Sequence, residues 1–161
     1  MQISTDILAA QPFLKGLSTQ QLELLLESAI SVEFKEGELI FEEGSPANRF
    51  YLLLSGEVAL ESPSEERYDE RGPIPIETIG AGSMLGWSWL FPPYSMHFSA
   101  RALEPTTTIF FYGTRLREQC EQDHELGYQL IKRIAEVATQ SLRATQRRLM
   151  KYIDKNTPEK P

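Results

Sequence analysis

The chain has 161 residues, and its hydrophobic share of 41% is enough to pack the core of one domain, with or without an appendage. No apolar run reaches membrane-spanning length, the opening residues (MQISTDILAAQPF) lack the basic start of a signal peptide, and a single cysteine, Cys120, excludes an internal disulfide framework. A net charge of −7 argues against non-specific nucleic-acid binding by the whole chain, and the expected location is the cytoplasm.

Taken in chain order, Ser4–Ala10 reads as a short helix. A second follows in FLKGLSTQQLELLLESA, with Ser18 as N-cap, Gln21 three residues on, and the apolar stripe Leu22, Leu25, Leu26, Ala29. The period then changes to alternation in ISVEFKEGELIFEEG, with Gly37 and Gly44 at turns. RFYLLLSGEVALES is a near-continuous apolar run and predicts two strands hinged at Gly56. Residues 62–73 are charged and read as a solvated hairpin loop. IPIETIG is a further strand, its first half demoted to an edge by Pro75. Beyond the segment GSMLGWSWLFPPYSMHF come the β-rich runs SARALEP and TTTIFFYG. Seven or eight short strands at turn-marked intervals predict a sandwich or jelly-roll barrel, a mainly β fold with flanking helices.

From Gly113 the pattern is helical. TRLREQCEQD is a short helix, and a long one of about 30 residues, or ~45 Å, follows over about 124–153 with Asp123 as N-cap. The expected organisation is N-terminal helices over 1–29, the β-roll over 30–112, C-terminal helices over 113–154 and a tail over 155–161, all one structural domain. In the long helix, Ile131, Ala135, Ala138, Leu142, Thr145, Leu149 and Tyr152 repeat at 4-3-4-3-4-3 spacing, the seam of a coiled coil. Leu130, Ile134 and Val137 form an adjoining face for docking on the barrel. The helix is too long for its own domain to cover, so a homodimer through this seam is expected. Residues 132–161 carry eight Lys/Arg against three acids, which leaves −12 for residues 1–131. This basic end either meets an acidic partner or is a solvated helix end suited to its dipole.

Two short helices, a β-roll, a short helix and a long dimerising helix together resemble the cyclic nucleotide-binding domain family, the effector domain of catabolite-activator-like proteins. FKEGELIFEEGSPANRFYLLLSGEVAL resembles that family's opening β-roll, and AGSMLG the approach to its phosphate-binding cassette. The resemblance implies an eight-stranded double-stranded β-helix, or jelly roll. It also implies a cassette that opens on Gly-Glu, the Glu accepting from a ribose 2′-OH, and closes on an Arg that neutralises the cyclic phosphate. Here Gly86 stands at the Gly position, Trp87 at the Glu position, and Met96 at the Arg position, or His97 with a one-residue shift. Pro92 and Pro93 lack N–H donors. Arg101 is the nearest cation, a possible anion contact, but five residues of strand, about 17 Å, separate it from Met96.

The aromatic segment thus has three readings. Its rings fill a vacant pocket, they line one for a different ligand, or a cyclic nucleotide binds in an altered pose. The cassette positions Gly86, Trp87, Ser88, Met96, His97 and Ser99 are the candidate ligand contacts. The expected function is a regulatory or sensor module for a small molecule other than cyclic AMP or cyclic GMP, signalling through its dimer helix to an unidentified protein partner. The alternative is a ligand-free scaffold. No enzymatic motif stands out, no cofactor is implied, and two histidines without a Cys/His/Asp cluster give no metal site. The chain ends soon after the long helix, leaving no room for a helix-turn-helix, so neither direct DNA binding nor membrane association is expected.

Overall fold

The computed structural model describes residues 1–62 and 74–158. Most of the hairpin loop expected over 62–73, and the last three residues of the tail, lie outside the described residues.

The chain begins with α1 (Thr5–Ala9), capped by the Ser4 hydroxyl, which accepts from the Ile7 N–H. A 3₁₀ turn (Pro12–Leu14) leads to α2 (Thr19–Leu26). The capping box forms: Ser18 Oγ accepts from Gln21 N–H at 3.2 Å, and Gln21 Oε1 accepts from Ser18 N–H at 3.0 Å. Eight strands follow: β1 (Ile30–Phe34), β2 (Leu39–Phe41), β3 (Arg49–Ser55), β4 (Glu57–Ser62), β5 (Ile74–Gly80), β6 (Met84–Leu85), β7 (Ser99–Ala102) and β8 (Thr106–Tyr112). They form two four-stranded antiparallel sheets, ordered β1-β8-β3-β6 and β2-β7-β4-β5. This is the expected mainly β jelly roll with flanking helices. Pro75 lies on β5, an edge strand, where a missing ladder donor is tolerated.

Gly56 separates β3 from β4 with φ +94°, and a Cβ there would lie 2.3 Å from Thr106 Oγ1 and 2.8 Å from Thr106 Cα. Both the left-handed backbone and the close approach of the Pro105–Thr106 segment require glycine.

The near-continuous apolar run of β3 has a direct cause. Side chains alternate across a strand, and both faces of β3 are buried. Phe50 and Leu52 face a core shared with the helices, where Leu8, Leu14, Leu25, Phe111, Leu116 and Leu126 pack. Tyr51 and Leu53 face the interior between the sheets, with Val58, Leu60, Leu85 and Phe110.

Helix α3 (Gly113–Gln122) turns at Asp123 into α4 (His124–Asn156), and the Asp123 side chain accepts from Leu126 N–H at 3.0 Å. The long helix continues three residues past its expected end. Its two apolar faces separate as the sequence indicates. Leu130 and Ile134 are buried against the domain, while Ile131, Leu142, Leu149 and Tyr152 are 48–62% exposed. Among the described residues no helix is long and apolar enough to cross a membrane.

Candidate ligand site

Strand β6 is followed by Gly86, whose φ of +78° turns the chain into a 3₁₀ helix (Trp87–Leu90). A Cβ on Gly86 would lie 3.1 Å from the Arg49 carbonyl oxygen and 3.3 Å from Met96 Cε. The thioether of Met96, 4% exposed, therefore packs directly on the turn that opens the cassette. Its backbone is tied down too: Met96 O accepts from Gly44 N–H at 2.8 Å, and Met96 N–H donates to Ser45 O at 2.9 Å.

The two tryptophans diverge. Trp89 is buried in the helix-side core, with its ring 6.0 Å from Phe50. It anchors the segment to α3, where its carbonyl accepts from the Arg117 guanidinium, which also lies over the Tyr94 ring at 4.5 Å. Trp87 turns the other way and meets Phe98 edge to face, centroids 5.9 Å apart and planes at 76°. Their rings line a cavity of 840 Å³ between the barrel and α4, within the usual range for small-molecule sites. The barrel wall adds Leu60, Ile79 and Leu85, and the facing wall is α4, with Lys132, Arg133, Glu136, Val137 and Gln140.

Of the cassette positions, Trp87 lines this cavity, and the structure does not bring the others there. Ser88 is buried beside Trp89, and His97 is exposed. Ser99 is buried, and its hydroxyl accepts from Glu43 N–H at 2.9 Å. Arg101 is committed elsewhere: its Nε donates to Glu61 at 3.1 Å and its Nη1 to the Gly37 carbonyl at 2.8 Å, away from the cavity lining. Among the described residues no three His, Cys, Asp or Glu side chains are grouped to hold a metal ion.

Sequence reasoning missed the cavity residues of the barrel wall, such as Leu60, Ile79 and Leu85, and those of the helix wall. On that wall Lys132, Glu136 and Gln140 recur every four residues, with Arg147 further on, a polar face of α4 beside the apolar seam. That periodicity is visible in the sequence, but which barrel strands it faces is not.

The cyclic nucleotide-binding domain family model matches residues 31–123. The chain belongs to that family. The match covers the roll, the cassette and α3, so this fold is that of a cyclic nucleotide-binding regulatory module. A cyclic AMP-activated, CRP-like global transcriptional regulator of Mycobacterium tuberculosis is 25% identical over 153 residues, 95% of this chain. The chain spans 65% of the length of that relative. A candidate cyclic nucleotide-binding protein from Geobacter metallireducens is 31% identical, with a TM-score of 0.75 over 87% of this chain and 98% of its own. A cyclic nucleotide-binding domain from Methylobacillus flagellatus, 19% identical, shares the fold with a TM-score of 0.76 over 96% of this chain and 83% of its own.

Proposed function

We propose that this family member is a sensor module that binds a small molecule other than ordinary cyclic AMP or cyclic GMP, and passes the binding event through α4 to a homodimer interface and a protein partner in the cytoplasm. The observation that carries the reading is the 840 Å³ cavity, which neither Trp87 nor Trp89 fills and whose outer wall is the long helix. On its other side that helix presents Ile131, Ala135, Ala138, Leu142, Thr145 and Leu149, a seam suited to a second copy. A ligand touching one side of α4 therefore acts on the element that would carry the dimer contact.

The departure from cyclic nucleotides rests on the cassette. By the family resemblance Trp87 stands at the ribose-binding Glu position and Met96, or His97 with a one-residue shift, at the Arg position; Met96 packs on Gly86. A phosphate held there without its guanidinium partner forgoes about 3–5 kcal/mol of binding.

A ligand-free scaffold is the second reading, and the exposed basic helix end of Arg143, Arg147, Arg148 and Lys151 favours it as a docking surface. Thermal melts of the purified protein separate these. Cyclic AMP and cyclic GMP at 1 mM are expected to leave the melting temperature unchanged, while a metabolite panel contains compounds that raise it by several degrees. A rise with either cyclic nucleotide overturns the choice of ligand class, and a flat response to the whole panel favours the scaffold.

A further inference from the structure

The cavity's positive charge lies on the wall opposite the cassette. The barrel-side floor of Trp87, Phe98, Leu60, Ile79 and Leu85 is apolar. The cations nearest the cassette lie outside the cavity lining: Arg101 bonds Glu61 and the Gly37 carbonyl, and Arg117 bonds the Trp89 carbonyl and lies over the Tyr94 ring. The helix side differs. Lys132 and Arg133 of α4 line the cavity together with Lys15, next to Pro12, Gly82 and Ser83. The Arg133 guanidinium donates to the Lys15 carbonyl, and to the Gln129 carbonyl at 3.0 Å and Oε1 at 2.6 Å, which fixes it beside Lys15. Glu136, one turn beyond Lys132, is the carboxylate closest along the helix to this group. Glu77, the other lining carboxylate, accepts from Ser141 Oγ at 3.1 Å, nearer Arg147. Arg147 itself is about 22 Å along α4 from Lys132. An apolar aromatic floor at one wall and a set of three cations at the end of the other define an oriented amphipathic site.

We infer that the site takes an organic anion with an apolar or aromatic body, which lies on Trp87 and Phe98 while its negative group is held by Lys15, Lys132 and Arg133. This rests on the sensor reading and adds the ligand's class and orientation. It reverses the polarity that the cassette resemblance implies, because the anionic group is read by α4 and not by the cassette. The charge then bears directly on the helix residue that precedes it, Ile131, the first position of the exposed seam.

Two fluorescent probes with a shared anilinonaphthalene skeleton test it: 8-anilinonaphthalene-1-sulfonate, an anion, and N-phenyl-1-naphthylamine, its neutral counterpart. Titrated into the full chain, the anion is expected to bind at least tenfold more tightly. Lys132→Glu is expected to weaken the anion at least tenfold and the neutral amine less than threefold. Arg147→Glu, at the far end of the same wall, is expected to weaken the anion less than threefold. Lys132 is exposed on the helix surface, so the variant keeps its fold, which a thermal melt checks. Equal affinity for the two probes, or an Arg147→Glu effect as large as that of Lys132→Glu, overturns the inference while leaving a ligand site in place. Binding of neither probe, or binding of both unchanged by Trp87→Ala, removes the sensor reading as well.

Discussion

Gly113 and Trp89 meet with no space between them: a Cβ on Gly113 would lie 2.7 Å from Trp89 Cβ and 3.4 Å from its Cγ. Gly113 opens α3, so the helix after the roll starts against the Trp89 side chain with no room for a methyl group. In a helix Gly→Ala ordinarily stabilises by up to ~1 kcal/mol. Here the added methyl displaces a fully packed indole, and Gly113→Ala is expected to destabilise by about 1–3 kcal/mol. Urea unfolding monitored by tryptophan fluorescence measures it, and a stabilised variant would show that the ring yields freely.

The cassette makes a gain-of-function test. Trp87→Glu with Met96→Arg supplies both family side chains at once. Met96→Arg alone buries an unpaired charge against Gly86 and is expected to lower the melting temperature. In the double variant cyclic AMP is expected to raise it, since a ligand at a hundredfold over Kd adds about 2.7 kcal/mol. A folded double variant indifferent to cyclic AMP would count against Met96 as the Arg position.

The seam on α4 separates folding from association. Leu142 and Leu149 are 58% and 56% exposed, so Leu142→Glu with Leu149→Glu removes little of the domain's own packing. Sedimentation equilibrium is expected to give twice 18.3 kDa for the parent chain and 18.3 kDa for the variant, with the circular dichroism of the roll unchanged. A parent chain that sediments as a monomer would refute the dimer.

Cys120 is predicted to be inert. Burial, then the Asp123 and Glu121 carboxylates, push its thiol up to about 11 from an ordinary 9.0. Raising the value leaves the reactive thiolate about a hundredfold scarcer at pH 8, and alkylation by iodoacetamide is expected to slow by that order relative to a free thiol. The rate should climb about tenfold per pH unit and level off only as pH passes about 11. A fast, pH-independent reaction at neutral pH would contradict the local electrostatics.

Gly56 offers the sharpest backbone test. Gly56→Ala adds a Cβ 2.3 Å from Thr106 Oγ1 in a left-handed conformation, and both effects act in one direction. The expected loss exceeds that of Gly113→Ala, read in the same urea titration.

Local signals carried most of the fold. The Ser18–Gln21 capping box, the Asp123 cap, the turn at Gly56 and the edge position of Pro75 depend on residues close in sequence and on backbone rules, so each was legible before any contact was known. The two faces of α4 were legible for the same reason: Ile134 and Ile131 differ by three positions, yet one is buried and the other exposed, as the 3.6-residue period requires.

The destinations of the aromatic side chains could not. Trp87 and Trp89 are two residues apart and chemically identical, but one lines the cavity and the other seals the helix-side core. Their divergence depends on the Gly86 turn, the Arg117 bond to the Trp89 carbonyl, and the space left by Gly113, contacts that join distant parts of the chain. The same holds for Arg101, whose charge is taken up by Glu61 on the neighbouring strand, and for Lys132, which faces strands some fifty residues earlier. Sequence by itself determined most of the strands and helices and their caps, because these follow from neighbouring residues. Tertiary structure alone decided that a cavity survives and that its cations lie on the helix, because a cavity's shape and charge arise where separate elements meet.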